Sequence, residues 1–241
     1  MRKKSGTFLH PCAASLVSRT VSSNTYNVQA RASALVSYWF GPMDDSTMLN
    51  REAEPFATYF TRWYGKNPKV DADIRAEFEG DLLAVTRDGR QWDATIREWA
   101  AQPQGLLALT LLLDQIPRNI YRDTKGMYTH DALGLLVSEQ ARAQGADHLP
   151  LTHQMFLSVP LMHVENLTIQ QRMLVDFERF VELAKTRSPQ NVGFYKFALD
   201  YAKRHVDVVE KYGRFPHRNA ILGRTSTDAE TEFLKNSDAY F

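Results

Sequence analysis

Three stretches of this chain set a proline among charged or histidine-bearing residues. Residues 114–119 hold Asp114, Gln115, Ile116, Pro117, Arg118 and Asn119. Residues 158–166 hold Pro160, His163 and Glu165, and residues 213–219 hold Arg214, Pro216, His217 and Arg218. Histidine is the side chain that moves protons near neutral pH. Arginine grips carboxylate and phosphate with a planar fork, and a carboxylate beside a histidine can orient it. A fourth residue joins them. Counting along 192–212, the apolar stripe runs Phe194, Phe197, Tyr201, His205, Val208, Tyr212, so His205 points inward. His163 does the same, seven residues after Phe156 and four after Val159. Each feature alone has a structural explanation. A lone histidine on an apolar face is a hydrogen-bonded core residue. Asp114 and Arg118, four apart, pair across a helix end. Gly213 stops one helix and Pro216 starts another. Together, the three stretches are expected to form one half-buried anion pocket. In it Arg118, Asn119, His163, His205, Arg214, His217 and Arg218 face Asp114 and Glu165.

Other chemistries fit less well. His163 and Glu165 with His205 or His217 offer metal ligands, but an i, i+2 pair does not share a helical face. No Gly-rich phosphate loop, dinucleotide fingerprint or Gly-x-Ser-x-Gly elbow occurs, so neither cofactor nor metal is expected. The single cysteine, Cys12, excludes internal disulfides and cysteine-rich zinc sites.

Elements must hold these residues, and the central one is the run 105–119. Leu106, Leu107, Leu109, Leu111, Leu112 and Leu113 leave it no polar face, as in a helix buried all round. It is too short to span a bilayer, for which ~20 residues are needed. Pro117 predicts its end, with the charged cluster set down at that point.

The remainder reads as further helices. The first, 28–40, is closed by Gly41 and Pro42. The second covers 51–64. The third, 70–87, carries Ile74, Phe78, Leu82 and Val85 on one face. A short helix covers 92–101. The helix 129–144 has Ala132, Leu135, Leu136 and Glu139 as its sequence pattern. The next covers 151–164. Thr168 with Gln171 suggests a capping box for a helix to 187. Then come 192–212, a short helix over 216–222, and a last one opened by a Thr227 and Glu230 capping box. No stretch alternates with period two. An all-α single domain of about ten helices over 31–241 follows. Trp39, Trp63, Trp92 and Trp99 read as packing anchors.

The chain has 241 residues, 44% hydrophobic and 24% charged, as expected of a soluble globular protein. Residues 1–43 carry Arg2, Lys3, Lys4, Arg19 and Arg31 and no acid; the remainder has 24 basic against 28 acidic residues. That mildly acidic body disfavours nucleic acid as a partner. The acid-free, Ser- and Thr-rich start, residues 1–30, has the composition of a mitochondrial transit peptide, with a cytoplasmic tail as the alternative. Leu9, Ala13, Leu16, Val17 and Thr20 give it a weak helical stripe.

Five motifs carry a resemblance. They are Tyr38-Trp39-Phe40-Gly41, the stretch from Trp63 to Asp71, Leu113 to Asn119, Pro160 to Glu165, and Phe215 to Arg224. With them the chain, over 34–241, resembles the family called domain of unknown function 924. The family usually has Phe where this chain has Ile116, and Ser where it has Val164. The resemblance implies a tetratricopeptide-like right-handed helical array and no particular activity. Beside the reading of the motifs as structural corners of a scaffold, two functional readings follow. One is a helical module whose Arg and His cluster captures a small anion or a peptide carboxylate. The other is an enzyme in which His163, His205 or His217 is general acid or base on an anionic substrate.

Overall fold

The computed structural model describes residues 26–87, 93–102 and 104–235. The transit-peptide reading of residues 1–30, with Cys12, falls outside these up to residue 25, as does Trp92. Residues 26–30 belong to the fold. Asn27 caps the first helix, Val28 is buried, and the Tyr26 hydroxyl donates to Asp81.

All regular structure among the described residues is helical. The helices are α1 (Val28–Phe40), α2 (Phe56–Tyr64), α3 (Pro68–Thr86), α4 (Ala94–Ala100), α5 (Gly105–Thr110), α6 (Ile116–Ile120), α7 (Asp131–Ala143), α8 (Leu151–Met162), α9 (Leu167–Arg187), α10 (Val192–Tyr212), α11 (Asn219–Leu222) and α12 (Asp228–Leu234). Short 3₁₀ turns precede α7, α10 and α11.

The predicted central helix is present but does not stop at Pro117. A wide turn, Leu111–Gln115, joins α5 to α6. In it the Ile116 N–H reaches the Leu111 carbonyl, five residues back. Pro117 has no N–H to offer, and its ring would strike the carbonyl four residues earlier in a regular helix. The wider turn relieves both problems, so the chain continues one more turn as α6. α1, α4, α7 and α8 all pack against α5. That encirclement explains why Leu109, Leu111, Leu112 and Leu113 are fully buried. At about 2–3 kcal/mol per buried leucine, this run adds substantially to the apolar core.

Four further expectations are corrected. α2 begins at Phe56 and not at residue 51, because Pro55 cannot sit inside a helix and residues 51–54 turn instead. α9 is capped by Asn166, whose side chain accepts from the Ile169 N–H, and not by Thr168. α7 buries Gly134, Val137, Ser138 and Ala141, leaving Leu136 exposed. Here Ser138 is pulled inward by donating to the Leu157 carbonyl. α10 buries Tyr195, Ala198, Ala202, His205 and Val208, so the aromatics Phe194, Phe197 and Tyr201 flank the buried face. Small Ala198 and Ala202 let α9 and α10 pack closely as a hairpin. The Thr227 and Glu230 capping box, the buried face of α3, and the packing role of Trp39 and Trp99 are as the sequence predicts.

Candidate functional site

The wide turn carries Asp114 into the interior, where it is completely buried. A buried carboxylate needs compensation, and three donors surround it. His163 Nδ1 lies 2.7 Å from Oδ1, and Gln115 Nε2 donates to Oδ2 at 2.6 Å. Arg118 Nη1 is 3.3 Å from Oδ1 and also donates at 2.6 Å to the Asp114 backbone carbonyl. Burial alone would raise the Asp114 pKa; Arg118 and His163 outweigh it and hold the carboxyl far below its usual range. Burial, reinforced by Arg118 and opposed by Asp114, lowers the His163 pKa. At neutral pH the pair is therefore a carboxylate beside an uncharged imidazole.

His163 caps the end of α8 and faces a cavity of about 290 Å³. Gln115, Arg118, Asn119, Arg122 and His163 form its polar end. The rest is aromatic and aliphatic: Trp63, Tyr64, Met155, Phe156, Val159, Met162, Phe177, Phe197, Ala198 and Tyr201. Tyr64 and Phe197 are exposed. Asp71 secures the polar end from behind. It accepts from Asn119 at 3.1 Å and from Arg122 Nε and Nη2 at 2.8 and 2.9 Å. Arg122 Nη1 has no hydrogen bond among the described residues.

The sequence grouped nine residues in one pocket, and the structure divides them. Arg118, Asn119 and His163 line the cavity, and Asp114 is buried behind them, in contact with Arg118 and His163. His205 lies close enough for His163 to depress its pKa, and its Nδ1 donates at 2.9 Å to the carbonyl of the cavity residue Tyr201. Its ring packs on Tyr201 and Phe215, so it supports the wall and does not line the cavity. Arg218 is buried between the Tyr128 and Phe215 rings and shares Asp131 with Arg118. His217 stacks near Phe215. Glu165 and Arg214 are the clearest corrections. Glu165 is bound at 2.6 and 2.9 Å by Arg224 and at 2.8 Å by the Phe215 N–H. Arg214 is bound to Glu230 at 2.6 and 2.8 Å. Both fasten the C-terminal helices, because open N–H groups and charges at helix ends find the nearest counter-charge first. His205, Glu165, Arg214, His217 and Arg218 thus stand outside the cavity lining.

The buried histidines have a consequence in acid. Burial pushes His205 down to about 3, and His153 and His217 each to about 4. Between the ordinary value of 6.5 and those values, the unfolded chain binds protons that the fold refuses. Stability therefore falls as pH drops through that window, by about 1.4 kcal/mol per pH unit for each such histidine. The melting temperature of wild type should drop between pH 7 and pH ~4.5, and that of His205→Leu should drop less. Parallel curves would remove His205 from the account.

Gln115, Arg122 and Asp71 escaped the sequence reading, as did the aromatic lining. Two signals were there. Arg122 follows Arg118 by four residues, which puts both on one side of a helix end. Asp71 closes the Trp63–Asp71 motif, which has no other evident reason to be charged.

An all-α chain whose buried central helix sets an Asp–His pair beside an aromatic-lined cavity is a helical pocket protein, a class defined by architecture and not by activity. Residues 35–238 match the family model described as a bacterial protein of unknown function (DUF924), and the chain belongs to that family. A protein of unknown function from Agrobacterium tumefaciens, ATU0120, has a similar solved structure. Its TM-score is 0.65 at 30% identity, with 87% of this chain and 99% of that chain covered. No curated protein matches. Among the described residues, no helix is long and apolar enough to cross a membrane.

Proposed function

We propose that this chain is a binding module for a small molecule with one carboxylate-like head on an apolar body, or for the C-terminal carboxylate of a peptide. The helical frame that supports it is read as the tetratricopeptide-like array implied by the family resemblance. The observation that carries the proposal is the division of the cavity: donors and acceptors at one end, aromatic and aliphatic side chains over the rest. Charge selects the head. Arg118 and Arg122 at this end are already paired, Arg118 with Asp114 and Asp131 and Arg122 with Asp71. A site without surplus positive charge suits a singly charged or polar head better than a phosphate dianion. Arg122 Nη1 is the spare donor for it. The mitochondrial address of residues 1–30 is carried forward as a proposal, on composition.

Calorimetry and thermal-shift measurements test this with aromatic and aliphatic carboxylates, matched phosphate monoesters, and short peptides. Carboxylates should bind best. Arg122→Gln should weaken them about tenfold or more, the worth of a charge-assisted hydrogen bond. Tighter binding of the phosphates, or no binding by any carboxylate at millimolar concentration, would overturn the reading.

A further inference from the structure

The Asp114–His163 pair fixes a proton. An ionised carboxylate can only accept, so the imidazole Nδ1 must donate the hydrogen bond of 2.7 Å. The neutral ring then carries its lone pair on Nε2. That nitrogen makes no hydrogen bond among the described residues, and His163 lines the cavity. A neutral imidazole with its lone pair on Nε2 can accept a hydrogen bond from a water molecule. Arg122 lines the same cavity, and its Nη1 is a donor with no hydrogen bond among the described residues. An acceptor and a donor at the polar end match an uncharged carbonyl group together with a water molecule. No Ser, Thr or Cys side chain lines the cavity, and its side-chain hydroxyls are the phenols of Tyr64 and Tyr201.

We propose that His163 is a general base, positioned by Asp114, that activates water to hydrolyse a carboxylic ester with an apolar acyl group. This rests on the carboxylate-binding reading, because the acid released is the ligand inferred there. His163 Nε2 takes a proton from water as the water oxygen bonds to the ester carbonyl carbon. The C=O electron pair moves onto oxygen, towards the Arg122 donor. As the carbonyl re-forms, the bond to the alkoxy oxygen breaks, and that oxygen takes the proton from Nε2. An acid and an alcohol leave, and His163 is neutral again. Burial and Arg118, which keep the ring unprotonated at neutral pH, are consistent with this role.

The test uses the full chain with 4-nitrophenyl esters of short aliphatic and aromatic acids, and with the free acids in parallel calorimetry. Ester turnover is expected, with kcat lowered about 100-fold or more in His163→Gln and KM little changed. Asp114→Asn tests positioning. Loss of the neighbouring negative charge should move the acid limb of the pH–rate profile to lower pH as kcat falls. A merely structural Asp114 would leave that limb in place. Should a variant fail to fold, nitrogen-15 NMR of the wild-type histidines decides, and a His163 proton found on Nε2 would overturn the proposal. Binding of the acids without turnover, or turnover untouched by His163→Gln, overturns the general base and leaves the binding reading standing. Turnover that depends on His163, with no affinity for the free acids, supports the base and removes the binding reading.

Discussion

Leu109→Asp is expected to yield no cooperatively folded protein. Leu109 is fully buried in α5, the helix that α1, α4, α7 and α8 surround. Truncation to alanine alone costs about 2–5 kcal/mol at such a site. Aspartate adds several kcal/mol for an unpaired charge in the interior, or for the pKa rise needed to neutralise it. Typical total stability is about 5–15 kcal/mol, so the sum consumes most or all of it. Circular dichroism should show reduced helix at 25 °C and no sharp melt, and Leu109→Ala should still fold. A Leu109→Asp protein with near-native spectrum and melting temperature would contradict the encircled-helix description.

Asp114→Ala should be the most damaging change at the cavity. It strips an acceptor from Gln115 and His163 and removes one of two counter-charges from the largely buried Arg118. Breaking a buried pair by deleting one partner costs about 3–5 kcal/mol. For a chain of this size that lowers the melting temperature by on the order of 10 °C. Asp114→Asn should cost less, since an amide keeps much of the hydrogen bonding. The sign of the pH dependence is a further check. The folded-state pKa of Asp114 is depressed, so its contribution is present in full above the ordinary carboxylate value of 3.8 and fades only below it. A gap between wild type and Asp114→Ala that vanished at pH 7 would mean that Arg118 finds full compensation in Asp131.

What could be read from the residues was whatever local pattern decides. The limits of Val192–Tyr212 follow from Gly213, which adopts the left-handed conformation that ends the helix. The buried run 105–119 announced itself by lacking a polar face. The inward turn of His205 was legible, although the face that carries it was misjudged. Counting large apolar residues favoured Phe197 and Tyr201 for the interior, whereas close helix packing selected Ala198 and Ala202. The divided fate of the nine site residues was not legible. Glu165 takes Arg224, 59 positions away, and Arg214 takes Glu230, 16 away. Both choices depend on how α8 to α12 fold over one another, and no local spacing encodes that. Arg122 and Asp71, 51 positions apart, are joined for the same reason.

The wide turn at Leu111–Gln115 amounts to one residue more than a regular helix would use over the same rise. Each helical residue advances the side-chain direction by about 100°. α6 is therefore out of phase with α5 by that angle, and Arg118 takes a direction that an unbroken helix would not give it. The inserted residue works as an angular offset, separating the part of the helix that holds the molecule together from the part that faces a guest.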